Sequence, residues 1–359
     1  MERRTVDVYE RHAADWMARR PASRVDAAHR FAARVGAAGP RADLGCGPGS
    51  YTGMVGSPVV GLDAAFAMVE LARTKVPEAW LVQGDLEHLP FRRRSLHGAW
   101  ARAAYLHVAR EQLPLALAEL HHALDVDAPI ELTMKRGSYE GSDLPDDSFP
   151  GRFFACWEPA ELADVVVGAG FLIDDLSSDA EWTIVQGRRA RTLPDTVGPD
   201  MRMLVCGLNP SLYAADAGVG FARPGNRFWP AALAAGIVTR DRDPFDALRT
   251  HGVGMTDLVK RATVGADEIR AGEFRQGLVR VRRLVARHRP GAVCFLGLAG
   301  WRAAVDRHAT TGRQSETIDG VPAYVMPNPS GLNAHARVED LADHLRAAAD
   351  LALTSKMRH

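Results

Sequence analysis

A five-residue apolar run, Met203-Leu-Val-Cys-Gly207, stops abruptly at Leu-Asn-Pro-Ser211. A short strand therefore ends in a turn that holds an amide side chain, Asn209, at its tip. Gly207 and Pro210 restrict the backbone on either side of it. A helix start follows at Pro224-Gly-Asn-Arg-Phe-Trp229. The same pattern returns at Ala292 to Gly297, where an apolar strand leads into the helix Leu298 to Ala304. It returns again at Ala323 to Met326, which runs into Pro-Asn-Pro-Ser-Gly331. Helices are expected at Asn226 to Ala235, Gly272 to Arg289 and Glu339 to Leu353. Strands alternating with helices predict a doubly wound α/β domain, whose ligands lie at the carboxyl ends of the strands. Phe221 sits in a glycine-bordered loop and lies on no periodic apolar face. A neutral amide beside an aromatic surface suits a flat, uncharged heterocycle such as a nucleobase.

The length of 359 residues suggests two domains. No run of about 18 apolar residues occurs, and the first residues lack an apolar leader core, so a membrane span and secretion are not expected. A cytoplasmic monomer is expected instead. Cys46, Cys156, Cys206 and Cys294 lie far apart with no C-x-x-C pair, which favours buried free thiols over a metal site. A net charge of zero conceals an asymmetry. Residues 1–200 hold 22 basic against 29 acidic side chains, and residues 201–359 hold 22 against 15. The basic second half should attract a polyanion such as DNA, and the acidic first half should not. The turn-rich stretch 189–200 is expected to link a first domain, 1–188, to a second, 201–359.

The first half opens with two helical stretches, Thr5 to Arg20, with Val8, Ala13, Ala14 and Trp16 as its buried stripe, and Asp26 to Val35. It then carries Arg41-Ala-Asp-Leu-Gly-Cys-Gly-Pro-Gly49, a strand-end acid followed by a glycine turn. The third glycine arrives one residue too early for the dinucleotide fingerprint G-x-G-x-x-G. Two further strands end in acids, Val59 to Asp63 and Trp80 to Asp85. Asp63 is suited to accept from ribose hydroxyls, and Asp85, next to Leu86, from an adenine amino group. Asp43, Asp63 and Asp85 together make a site for adenosine joined to a positively charged group. His107, after the fourth strand, reads either as a packed histidine or as a base near the reacting group.

These residues resemble class I S-adenosylmethionine-dependent methyltransferases over roughly residues 5 to 188. The resemblance includes Tyr9, Trp16, Ala99 to Val108, Trp157 to Leu162 and Gly168 to Phe171. It implies a Rossmann-like sheet and S-adenosylmethionine held by Asp43, Gly45, Gly47, Gly49, Asp63, Asp85 and Leu86. The methyl acceptor is not readable. Arg102-Ala-Ala-Tyr105 stands where base-methylating relatives carry an Asn-Pro-Pro-Tyr type motif.

In the second half, Gly207-Leu-Asn-Pro-Ser211, Gly220 to Trp229, Gly254-Met-Thr-Asp-Leu-Val259 and Met326 to Leu332 resemble the mismatch-specific uracil/thymine-DNA glycosylases. The blocks follow the family's order and spacing. The resemblance implies an α/β/α sandwich that flips a base out of duplex DNA and hydrolyses its glycosidic bond without a cofactor or metal. The implied substrate is double-stranded DNA with uracil or a G mismatch. Asn209 would position the water. Phe221 and Ser211 would meet the base, and, beyond what the resemblance implies, Asp257 would help recognise the base or order the water. The loop Asn328, Ser330, Gly331, Leu332 and Asn333 would enter the helix, with Leu332 as the wedge. Asn333-Ala334 stands where relatives can carry an arginine toward the opposite base. Asp257 reads equally as a helix cap or surface acid. The arginines of Gly272 to Arg289 read as a solvated face. A DNA-binding protein that no longer cleaves, with a cofactor-sensing first half, is the alternative.

Overall fold

The computed structural model describes residues 2–20, 22–145, 147–331 and 336–356. It divides into two compact units, Met1–Ala190 and Arg191–His359, each an α/β domain. No helix of the described residues is long and apolar enough to cross a membrane.

The first unit begins with helices α1 (Arg3–Arg19) and α2 (Val25–Val35). Strands β1 (Arg41–Leu44) and β2 (Val59–Asp63) follow, then α3 (Phe66–Lys75), β3 (Trp80–Gln83) and β4 (Ala99–Arg102). After α4 (Leu113–Ala123) come β5 (Pro129–Lys135) and a two-stranded ribbon, β6 (Glu140–Gly141) with β7 (Phe154–Ala155). Helix α5 (Pro159–Gly168) precedes the hairpin β8 (Phe171–Ser178) and β9 (Trp182–Arg189). The main sheet has the order β3-β2-β1-β4-β5-β9-β8. Its first five strands are parallel, and β9 runs antiparallel to β5. Strand β1 is buried along its whole length although it carries Arg41 and Asp43, and β4 is buried up to Arg102 at its tip. The chain leaves β1 toward β2 on one side, while β4 lies on the other, so a crevice opens between the tips of β1 and β4. In α1 the buried side chains are Thr5, Val8 and Ala13. Ala14 is exposed and Trp16 half-buried; the expected stripe was too wide because Trp16 faces a cavity.

The second unit carries β10 (Met203–Gly207), α6 (Leu212–Ala217), α7 (Phe228–Ala234), α8 (Pro244–His251) and β11 (Val253–Asp257). Then come α9 (Ala271–His288), β12 (Ala292–Leu296), α10 (Leu298–Ala304), β13 (Gly312–Ile318), β14 (Val321–Met326) and α11 (Val338–Lys356). The sheet order is β11-β10-β12-β14-β13, parallel except for the edge strand β13. Helices α7 and α11 pack on one face. Phe228 and Trp229 are fully buried there, and Leu233 is 38% exposed. Helix α7 starts two residues later than expected because Asn226 Oδ1 accepts from the Phe228 amide at 2.9 Å, ending the preceding turn.

The stretch 189–200, expected as a linker, is divided by the structure. Arg188 and Arg189 belong to β9. Residues 191–197 form a strap on the second unit, with Leu193, Asp195 and Val197 buried. Thr196 exchanges backbone hydrogen bonds of 2.9 and 2.8 Å with Met255 on the edge strand β11. A bare edge strand offers unpaired backbone groups, and the strap covers them.

Candidate functional site

The crevice of the first unit is a cavity of about 660 Å³, within the ~300–1,000 Å³ span of small-molecule sites. Asp43, Gly45, Gly47, Asp63 and Leu86 line it. Asp63, at the tip of β2, accepts from the Gly47 and Ala65 amides at 2.9 Å each. Asp43, 3% exposed, accepts from the Thr52 hydroxyl at 2.7 Å. Burial pushes Asp43 up to about 7 and Asp63 up to about 6; the neighbouring Asp63 adds to the rise at Asp43. Neither carboxylate forms an ion pair among the described residues. At this end of the cavity the two carboxyls are thus held by hydrogen bonds alone, and a cationic ligand would favour their ionised forms.

The glycine turn has two different jobs. Gly47 has φ +53° and nothing within 4 Å of the position a Cβ would occupy, so its open side belongs to a ligand. Gly49 faces away; a Cβ there would meet Ala72 of α3 at 3.1 Å. Its role is packing, which corrects its assignment to the cofactor. Asp85 also departs from expectation. It caps the local turn, accepting from the Glu87 amide at 2.9 Å, and does not line the cavity, although Leu86 beside it does.

The other end of the cavity carries Tyr9, Trp16, Arg20, Arg24, Arg102 and His107. His107 Nδ1 lies 2.6 Å from the Phe153 carbonyl and must donate to it, so Nε2 accepts from the Tyr9 hydroxyl at 2.7 Å. Burial holds His107 down at about 4. It is a neutral, packed histidine that orients Tyr9, the first of its two sequence readings. Arg152 donates to the Tyr9 oxygen at 2.8 Å and is paired with Asp147. Arg20, Arg24 and Arg102 form no ion pair among the described residues. Arg102 lies over the Tyr51 ring and donates to Ser23.

In the second unit, the tips of β10 and β11 meet. Gly207 and Asp257 are paired in register, and the chain after β11 stays alongside the chain after β10. Leu258 and Val259 donate to Gly207 and Leu208 at 2.9 Å, and Thr263 donates to Pro210 at 3.1 Å. This pairing brings Thr263 to Asn209, a neighbour that sequence spacing could not supply. Asn209 Nδ2 donates to the Pro210 and Arg261 carbonyls at 3.1 Å and to Thr263 Oγ1 at 2.7 Å. The Thr263 proton is itself committed to the Gly265 carbonyl at 2.7 Å, so its oxygen must accept. The two amide protons are shared among these three acceptors, which identifies this side of the amide as the nitrogen. Asn209 Oδ1 takes no protein partner among the described residues and is the side presented to a ligand or water.

Asp257 is neither a helix cap nor a surface acid. It ends β11 and is 7% exposed. A Cβ on Gly207 would lie 2.3 Å from Asp257 Oδ1 and 3.4 Å from the tip of the Phe221 ring. Gly207 is therefore required by the close approach of the other two, and the three meet at one strand tip. Burial pushes the Asp257 carboxyl up to about 6, opposed by Lys260 and Arg280 and aided by Asp195. Phe221 has φ +59°, a left-handed conformation that costs a bulky residue ~1–3 kcal/mol. Its ring packs on Phe228 at 4.4 Å, and the Trp229 indole holds the Gly220 carbonyl at 2.8 Å.

Ser211 is brought to the same turn, but its hydroxyl caps α6, accepting from the Ala214 amide at 3.1 Å. That replaces a base contact with a structural one. After β14, Asn328 Oδ1 accepts from the Ser330 amide at 2.9 Å. Arg227 donates to the Ser330 carbonyl at 2.9 Å and to the Ala336 carbonyl, clamping both described ends of this loop. The side of Gly331 that lacks a Cβ faces the Gly225 carbonyl at 2.8 Å, so its close approach is to protein rather than to DNA. Leu332 and Asn333 lie outside the described residues. On α9, Arg280 is buried, unlike the solvated face expected for that run. All four cysteines are free and buried.

Family models match both units. One described as the uracil DNA glycosylase superfamily matches residues 194–352, and one described as a methyltransferase domain matches residues 42–129. Among solved structures, an SAM-dependent methyltransferase from Methanosarcina mazei is 15% identical, covering 42% of this chain and 92% of that one, with a TM-score of 0.38. A methyltransferase in complex with the Trm112 methyltransferase activator of Haloferax volcanii is 17% identical, covering 52% and 97%, with a TM-score of 0.40. The DhpI–SAH complex is 17% identical, covering 52% and 96%, with a TM-score of 0.42. The two family matches fall one in each compact unit, and the chain is a methyltransferase domain fused to a domain of the uracil DNA glycosylase superfamily.

Proposed function

We propose that the second unit excises uracil, and possible mismatched pyrimidines of the same shape, from double-stranded DNA. The observation that carries this reading is Asn209. Its nitrogen is tied down by acceptors, which leaves Oδ1 to accept a hydrogen bond from a water and aim that water's lone pair at the sugar. The water oxygen bonds to C1′ as the glycosidic bond breaks; the electrons of that bond leave with the base as an anion, and the proton the water sheds passes through solvent to that anion, giving the free base and a sugar hydroxyl. An amide is a weak base, so orientation and electrostatic help must supply most of the acceleration. Phe221, held in a strained conformation beside the Gly207 strand tip, would stack on the extruded base. Asp257 would meet the base edge or order the water. The loop after β14, clamped by Arg227, would enter the duplex. The surplus of basic side chains in residues 201–359 supports a polyanionic partner.

For the first unit the proposed ligand is S-adenosylmethionine, which supplies an electrophilic methyl group. The residues fit it. Asp63 would accept from the ribose, Gly47 offers an open backbone face, and Asp43 and Asp63 together complement a cation. Arg20, Arg24 and Arg102 would complement a carboxylate at the other end of the cavity. Tyr9, oriented by His107 and Arg152, would border the place of the acceptor.

The test is excision from labelled duplexes carrying U·G, T·G or U·A, with alkali to cut abasic sites. Wild type should cleave U·G fastest, and Asn209→Ala should lower the rate by roughly 100-fold or more. Tight mismatch binding with no cleavage by wild type would instead support a DNA-binding protein.

A further inference from the structure

Asp195, on the strap of residues 191–197, lies outside the base pocket yet bears on its charge. It is buried, and its carboxylate accepts from Thr256 Oγ1 at 2.6 Å, Lys260 Nζ at 2.9 Å and Arg280 Nη1 at 2.5 Å. Arg280 Nη2 also reaches Thr256 Oγ1 at 2.9 Å and the Asp257 backbone carbonyl at 2.7 Å. Lys260 and Arg280 are the two cations whose charge acts on Asp257. Both spend their donors on Asp195, Thr256 and backbone, and none on the Asp257 carboxylate. That carboxylate, more than nine-tenths buried, has no hydrogen-bond partner among the described residues and lies against Gly207 and Phe221. The titratable and charged groups around it are Lys260 after β11, Arg280 on α9, Asp195 on the strap and the Cys206 thiol on β10.

We propose that Asp195 is a positioning residue for the pocket: by holding Lys260 and Arg280 it keeps the Asp257 carboxylate unpaired and open toward the extruded base. This rests on the base-pocket reading above. The physical reason is the cost of an unbalanced buried charge. At the β11 tip two anions, Asp195 and Asp257, face two cations, Lys260 and Arg280; Asp195 takes the direct contacts of both cations, and Asp257 balances the remaining charge with no hydrogen bond to either. Without Asp195, two buried cations lose their anion. Lys260, on its flexible stem, can then turn to Asp257, the other anion on which its charge already acts. An Asp257 locked in that ion pair would be held ionised and would have to be pried loose before a neutral base could meet it. The strap that joins the two units in sequence therefore also tunes the second unit's pocket.

The experiment uses the full chain as wild type, Asp195→Asn and Asp195→Asn/Lys260→Met. Two readings are taken: the pH dependence of single-turnover U·G excision, and carboxyl titration in protein labelled with [13C]aspartate, Asp257→Asn identifying the Asp257 signal. In Asp195→Asn the Asp257 midpoint should fall by about one pH unit or more, and any limb of the rate profile that Asp257 governs should move with it. Removing Lys260 in that background should restore most of the midpoint. An unmoved Asp257 midpoint in folded Asp195→Asn overturns the proposal, as does a slower rate with an unchanged profile. If Asp195→Asn does not fold, Lys260→Met alone decides it, since Asp195 and Arg280 remain paired. The Asp257 midpoint should then rise only slightly, and a large rise would mean Lys260 was already paired with Asp257. A wild type that cleaves nothing defeats the excision reading, while the carboxyl titration still judges Asp195.

Discussion

Both units bury carboxylates at the carboxyl ends of parallel strands beside a glycine, yet they handle the charge in opposite ways. In the first unit Asp43 and Asp63 have only hydrogen-bond donors, Thr52 and two backbone amides, and no cation. In the second, Lys260 and Arg280 are ion-paired with Asp195, and the charge of Asp257 beside them brings the four groups to zero. A site that leaves its own charge unneutralised complements a ligand of opposite charge. A site that closes its charge balance internally suits a neutral one. The first pattern matches a sulfonium-bearing cofactor, the second a nucleobase. Under the function proposed above, equivalent tips of two sheets would serve two ligand chemistries through the placement of a few side chains.

The largest effect expected to test that contrast is at Asp63. Asp63→Ala removes a charge and leaves the Gly47 and Ala65 amides without their acceptor. Calorimetry should show S-adenosylmethionine affinity lowered by roughly 100-fold, at ~1–3 kcal/mol for each loss. Excision by the second unit should be unchanged; a parallel loss there would show that the two units do not work separately.

A smaller effect is expected from pH. Asp43 and Asp63 have folded-state values near 7 and 6, above the ~3.9 of an unfolded chain. Each therefore contributes stability that is full below about pH 4 and lost as pH rises through its folded value. A cation binds the ionised form, so ligand affinity should run the other way, weakening as pH falls through 7 and then 6. Thermal melts at pH 5 and pH 8 read both trends: the free chain should lose stability toward pH 8, while the gain from S-adenosylmethionine should grow. A ligand-induced gain that is flat across this range would break the comparison.

The smallest effect sharpens the neutral side. Thr263→Val removes one acceptor from Asn209 Nδ2 at nearly constant volume and changes no charge. The amide should then turn more freely, lowering the maximal excision rate by about 10-fold with little change in KM. An equal loss in DNA affinity would assign Thr263 to binding instead.

Much of this was legible in the sequence because it is local. Strand β10 was bounded to the residue by its apolar run and the Asn-Pro turn, and the tips carrying Asp43, Asp63 and Asn209 followed from strand ends. Phe221 was singled out by lying off every periodic face. What failed was what depends on partners. Gly49, Asp85 and Ser211 have the residue types of ligand contacts but serve α3, a local turn and α6. Arg280 looks like its solvated neighbours in the run, yet a single helical face turns it inward to Asp195.

By itself, then, the sequence determined the two α/β halves and the chemical types at their strand tips, because apolar periodicity and turn-forming residues act over a few positions. Only the tertiary structure decided which way Asn209 points, which charges Asp257 is spared, and that residues 191–197 belong to the second domain. Those outcomes depend on Thr263, Asp195 and Met255, which are distant along the chain and meet only when the sheet is assembled.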